Sequence, residues 1–200
     1  DAVDEATLTD NGATLTLAPV LPFVTFESLT FAKPTNSLTI NLGDYNTGIV
    51  PGVPYVSAPV SLQDVLTVNS FNVPAIDLIV NGEAGTDVVN VAGPVNARDV
   101  TLNAETINVT SAINASGDVT LDATSVAIPA VPQAVVDLPS VTVSGSIAAD
   151  DITINALSVL GSLVTPDTTP LAFLDANILV TGTLAGSNIV LTAGAALVSS

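Results

Sequence analysis

The stretch Val109-Thr-Ser-Ala-Ile-Asn-Ala-Ser-Gly-Asp-Val-Thr-Leu121 decides the fold of this 200-residue chain, because its phrase returns. Versions stand at Val91-Ala-Gly-Pro-Val-Asn-Ala-Arg-Asp-Val-Thr-Leu102, Val143-Ser-Gly-Ser-Ile-Ala-Ala-Asp-Asp-Ile-Thr-Ile154 and Val180-Thr-Gly-Thr-Leu-Ala-Gly-Ser-Asn-Ile-Val-Leu191. An internal repeat sets architecture before any one residue is interpreted. With weaker copies admitted at Val126 and Val159, the leading valines 91, 109, 126, 143, 159 and 180 mark units of 16 to 21 residues.

Within each unit apolar and polar residues alternate, as in Val100-Thr-Leu-Asn-Ala104, which is the period-two mark of half-buried strand. Helical periodicity is missing even from Val95 to Gly117, a stretch rich in Thr, Asn and Val. A unit this short cannot close a core alone, so its inward residues must meet those of the units above and below. The expected fold is all-β, a parallel β-helix of short coils. Eight or nine coils at the inter-strand spacing give a rod of roughly 40 Å. A β-sandwich is the competing all-β architecture, but it repeats at about 100 residues rather than at this period.

Stacking predicts columns. Val100, Val119, Ile152 and Ile189 are expected in one inward column and Leu102, Leu121, Ile154 and Leu191 in the next, with Thr101, Thr120 and Thr153 outward between them.

Residues 1–200 read as a single body. Residues 1–42 carry short alternating runs separated by turn signals, Asn11-Gly12 the strongest and Lys33-Pro34 another, and three of the five phenylalanines. They are expected to form an N-terminal cap or atypical first coils. Residues 43–61 hold three prolines, three glycines and both tyrosines, Tyr45 and Tyr55, and read as a loop excursion. Beginning at Asp1 and ending inside a repeat-like unit, the sequence reads as an excerpt or a processed piece of something longer.

Composition narrows the function classes. A content of 48% hydrophobic residues excludes disorder, while 4% aromatics leave a core of small aliphatic side chains. There is no cysteine, hence neither disulfide framework nor thiolate chemistry. Two basic residues against 19 acidic ones, with no histidine, give a formal charge of −17, which argues against nucleic acid as a partner. No run approaches the roughly 20 apolar residues of a membrane-spanning helix.

Ile113-Asn-Ala-Ser-Gly-Asp-Val-Thr-Leu-Asp-Ala123 resembles the repetitive shaft of filamentous-haemagglutinin-like bacterial exoproteins and surface adhesins. The resemblance covers roughly residues 88 to 198. It implies a right-handed parallel β-helix outside the cell, acting as a stalk, fibre or adhesive surface. Expected partners are other copies in a fibre, self-associated end to end, or a host or surface glycan. Gly82-Glu-Ala-Gly-Thr-Asp-Val-Val-Asn90 is similar to the calcium-binding nonapeptide of RTX proteins, with Glu83 in place of its second glycine. That likeness names Glu83 and Asp87 as candidate ligands for calcium, a hard cation suited to oxygen donors.

The chemistry available for catalysis is sparse. Lys33 and Arg98 are the two basic side chains, and no histidine can serve as general base. Asp150 with Asp151, or Asp99 with Asp118, form the conceivable carboxylate pairs of a glycosidase. Asp150 and Asp151 are expected on opposite sides of a strand, however, and Asp99 and Asp118 fit a repeated turn position that Asn188 also fills. Lys33 is a candidate for an intramolecular isopeptide bond. Outward threonines raise an ice-binding reading, which lacks the paired Thr-x-Thr on every coil. The expectation is a non-enzymatic extracellular structural module, with a carbohydrate-binding or carbohydrate-active module as the alternative.

Overall fold

The computed structural model describes residues 4–20, 27–42, 63–82, 86–127, 138–160 and 176–197. Over these residues the alternating runs form strands and no helix. The chain opens with β1 (Asp4–Asp10), β2 (Thr14–Pro19), β3 (Leu29–Ala32) and β4 (Ser37–Asn41). Triplets come after: β5 (Asp64–Val68), β6 (Phe71–Asn72) and β7 (Asp77–Asn81), then β8 (Val88–Val91), β9 (Val95–Ala97) and β10 (Val100–Asn103). Next are β11 (Thr106–Val109), β12 (Ala112–Ala115) and β13 (Val119–Ala127), then β14 (Ser140–Val143), β15 (Ser146–Ala148) and β16 (Asp151–Leu160). The last triplet is β17 (Asn177–Val180), β18 (Thr183–Ala185) and β19 (Asn188–Leu197).

The first strand of every triplet lies in sheet A, the second in sheet C and the third in sheet B. Within each sheet a strand pairs with the corresponding strand of the next triplet, always in parallel. The chain thus visits three sheets in rotation and returns to each one strand-width further on. β1 and β4 extend sheets A and B by one level, and beyond β1 the chain reverses through β2 and β3, the antiparallel pairings of sheet A.

The expected columns hold residue by residue. Val100, Val119, Ile152 and Ile189 pair in order, as do Leu102, Leu121, Ile154 and Leu191, with Thr101, Thr120 and Thr153 between them. Because successive side chains on a strand face opposite ways, the first two columns fill the interior, where Val100, Leu102, Val119, Leu121, Ile152 and Ile154 are buried. Apart from Phe71, its largest buried side chain, the buried core cluster is aliphatic.

The period is a correction. Val91, Val109, Val143 and Val180 are equivalent, so successive units are 18, 34 and 37 residues long rather than uniformly 16 to 21. Val126 and Val159 are not unit leaders; they pair with each other in sheet B, near the ends of β13 and β16. The described stack therefore has six levels of sheet B, about 25 Å along the stacking direction, rather than eight or nine coils.

What defines a unit is the corner between sheets A and C. There the carbonyl of Val68 accepts N–H groups from both Ala92 and Gly93, that of Val109 from Ser144 and Gly145, and that of Val143 from Thr181 and Gly182. The second donor sits so close to the level below that a Cβ on Gly145 would overlap the Ser111 carbonyl oxygen. This explains why the repeated phrase reads Val-x-Gly at 91, 143 and 180.

At the N-terminal end a hairpin extends sheet A. Asn11-Gly12 makes the β1–β2 turn, with Gly12 at φ 89°, a left-handed conformation that favours glycine. Leu8 and Leu15, on its two strands, are fully buried. The proline-rich segment 43–61 lies outside the described residues, as do Tyr45 and Tyr55.

Candidate functional site

The side chains with chemistry sort onto corners and faces. At the corner between sheets C and B the register stacks Ser37, Asp77, Asp99, Asp118, Asp151 and Asn188. The Asp99 carboxylate accepts the Asp118 N–H at 2.8 Å and the Asp118 carboxylate accepts the Asp151 N–H at 3.3 Å. Each acid thereby satisfies the backbone of the next level, a structural use rather than a paired acid and base. Asp150 precedes β16 instead of sharing its strand, and both Asp150 and Asp151 are exposed.

Arg98 answers the repulsion in that column. Its Nε and Nη2 donate to the two carboxylate oxygens of Asp77 at 2.7 and 2.6 Å, and Asp99 lies 3.6 Å from Nε. The Arg98 hydrogen bonds hold the Asp77 carboxyl below its ordinary value, outweighing the opposing effect of burial, with the guanidinium charge adding to them.

Lys33 is also engaged. Its ammonium lies 2.6 Å from Asp10 Oδ2 and donates to the Asn72 carbonyl at 2.9 Å. Asp10 further accepts the N–H groups of Gly12 and Asn72, and its own N–H donates to Ser70 Oγ. Burial alone would push the Asp10 carboxyl up, but Lys33 and the two backbone donors together bring it below its ordinary value. An isopeptide bond needs a neutral amine meeting a protonated carboxyl; this environment favours the ionised acid, and the contact is an ion pair. It fastens the hairpin, through Lys33, to the start of sheet C.

Of the candidate calcium ligands, Glu83 lies outside the described residues. Asp87 is buried at the corner between sheets B and A, where its N–H donates to Glu105 Oε2 at 2.7 Å and a Cβ on Gly82 would crowd its carboxylate. Among the described residues no three acids come together to hold a metal ion. Of the two candidate ligands only Asp87 is thus among the described residues, and Ca²⁺ takes six to eight oxygens.

The faces carry asparagine ladders that sequence reasoning missed. Asn103 donates to Asn81 and Asn81 to Asn41 on sheet B, Asn114 to Asn96 and Asn96 to Asn72 on sheet C, and Asn108 to Asn90 on sheet A. Stacked amides of this kind satisfy one another level by level. The signal was present as Thr-x-Asn in Thr39-Ile-Asn41, Thr101-Leu-Asn103 and Thr106-Ile-Asn108.

A cavity of about 220 Å³ between β1–β2 and β4–β5 is lined by Ala6, Leu17, Ile40, Asn41, Leu42, Asp64 and Val65, with one acid and no aromatic ring. No helix of the described residues is long and apolar enough to cross a membrane. Compared with family models, with curated proteins and with solved structures, the chain matches none.

Proposed function

We propose that this chain is a right-handed parallel β-helix serving as a non-enzymatic structural segment of a bacterial extracellular fibre or adhesin. The observation that carries the reading is the register: four copies of one phrase stack in parallel, level on level, with aliphatic columns inside and Thr and Asn columns outside. Such a body spreads load over many inter-level backbone hydrogen bonds, and its strength grows with every added level. The acids support a structural role, since Asp99 and Asp118 are engaged by the amides of the adjoining level. Calcium plays no step in this reading.

Immunogold labelling of intact source cells tests it. Label on rods projecting from the surface is the expected result; label that enters only after lysis overturns the extracellular assignment.

A second reading, saccharide binding, draws on the outward Thr and Asn columns of sheet B, each of which holds its hydroxyl or amide at four of the six levels. A glycan array paired with a turnover assay separates the two. Binding without cleavage favours an adhesive face, and cleavage lost in an acid-to-amide variant would make the chain an enzyme.

A further inference from the structure

The chain contains two Asn-Gly steps, Asn11-Gly12 and Asn81-Gly82, which the fold places in unlike surroundings. The dipeptide has a chemistry of its own. Glycine has no Cβ to shield its backbone nitrogen, so that nitrogen can close on the side-chain amide carbon of the preceding asparagine.

Asn81 is held away from that reaction. It ends β7, where its amide donates to Asn41 Oδ1 at 2.9 Å and accepts from Asn103 Nδ2 at 3.0 Å. The Gly82 N–H donates to the Asn103 carbonyl at 2.8 Å, and a Cβ on Gly82 would collide with Asp87. Electrophile and nucleophile are both bonded to neighbouring levels, so the ring closes there only if these three hydrogen bonds give way together.

Asn11 stands otherwise. Asn11, Gly12 and Ala13 are exposed at the turn between β1 and β2, and nothing lies within 4 Å of the position a Gly12 Cβ would take. The Gly12 N–H donates to Asp10 Oδ1 at 2.7 Å, a contact local to the turn. Its proton therefore faces a carboxylate, a group able to accept it, whereas the Gly82 proton faces a peptide carbonyl. The Asn11 amide is restrained by Thr16, to whose Oγ1 its Nδ2 donates at 2.7 Å, and Thr16 Oγ1 lies 2.9 Å from Thr30 Oγ1.

We propose that Asn11 is a site of spontaneous deamidation through a cyclic imide, paced by its bond to Thr16, and that the asparagine ladder exempts Asn81. The Gly12 nitrogen bonds to Asn11 Cγ, the Cγ–Nδ2 bond breaks, and the Gly12 proton leaves on ammonia. Water then opens either carbon–nitrogen bond of the imide, giving aspartate or isoaspartate. Both products set a second carboxyl beside Asp10. Isoaspartate also lengthens the turn backbone by a methylene, which shifts the N–H that Asp10 holds, so the modification falls on the turn that carries the Asp10–Lys33 ion pair.

The test needs only the purified full chain, incubated at mildly alkaline pH and mapped by peptide mass spectrometry. Folded, it is expected to convert Asn11 at least about tenfold faster than Asn81, because a site reached only by local opening reacts in proportion to its open fraction. In urea the two rates are expected to converge. Equal conversion of the two in the folded chain overturns the proposal, as does an Asn11 that stays intact while the urea-unfolded chain reacts. A rate gap that survives in urea overturns it as well, by assigning the difference to neighbouring sequence rather than to the fold. Thr16→Val keeps a β-branched residue in β2 and removes the acceptor. It is expected to speed conversion of Asn11 about threefold, the worth of one modest hydrogen bond, with the circular dichroism spectrum and the Asn81 rate unchanged. An Asn11 rate that does not move in this variant overturns the pacing by Thr16.

Discussion

At the N-terminal end Leu15 is fully buried within the hairpin's second strand and Asp10 is held by Lys33, whereas at the C-terminal end Leu191 stands half exposed in a level without charge. Both leucines face the interior, Leu15 from antiparallel β2 and Leu191 from parallel β19. The difference lies in whether another layer covers them along the stack. A repeat fold stabilises each unit through its neighbours, so a level with one neighbour has about half the packing of a level with two, and a level covered by a reversed hairpin behaves as interior.

The largest expected effect sharpens that contrast. Leu15→Ala is expected to cost about 2–5 kcal/mol, the range for emptying a well-packed site. Leu191→Ala in dilute solution is expected to cost about 1 kcal/mol or less, because half of that side chain is already in water. Urea unfolding of both variants checks it; equal shifts in midpoint would show that the C-terminal end is covered after all.

The ion pair at the hairpin is the next handle. Asp10 accepts three hydrogen bonds, one of them charged, so Asp10→Ala leaves the N–H groups of Gly12 and Asn72 and the Lys33 ammonium to find water, at about 1–3 kcal/mol. The pH dependence has a definite sign. The folded carboxyl titrates below its unfolded value, so its stabilisation is complete above about pH 4 and is lost as pH falls through the lower, folded value. The stability gap between the natural chain and Asp10→Ala should therefore narrow on acidification; a gap that stays constant down to about pH 2 would assign the effect to packing. Asp77 titrates alike in both proteins and cancels in the difference.

The same contrast explains what was legible beforehand. Inward columns could be written down from Val100, Val119, Ile152 and Ile189 because alternation with period two leaves one face for each residue, and a shared phrase aligns the levels. Val126 and Val159 misled because a valine alone does not mark a corner. The corner needs a small residue two positions on whose N–H can share the carbonyl below, and Val159-Leu-Gly161 imitates that pattern while β16 continues through Leu160 beside Leu197 of β19. Strand length there is set by what the neighbouring strand offers, a tertiary fact. Asn ladders and the Asp10–Lys33 pair join residues 18 to 40 apart in sequence, and they become visible only once the register is known. Phe71 and Asn72 form a two-residue strand too short to carry any periodicity of its own.

The smallest effect bears on the neutral end itself. Asn188 continues a column in which Asp118 and Asp151 already stand one level apart, and Arg98 lies three levels away beside Asp77 and Asp99. Asn188→Asp places a carboxylate directly across from Asp151 with no cation beside it among the described residues, and like charges at opposed positions cost about 0.2–1 kcal/mol. Both groups are exposed, so the cost should fade as salt shortens the screening length from about 10 Å at 0.1 M toward about 3 Å at 1 M. Thermal unfolding of this variant at the two salt concentrations measures the repulsion, and a loss that persists at high salt would instead give Asn188 a specific hydrogen-bonding duty in closing the level.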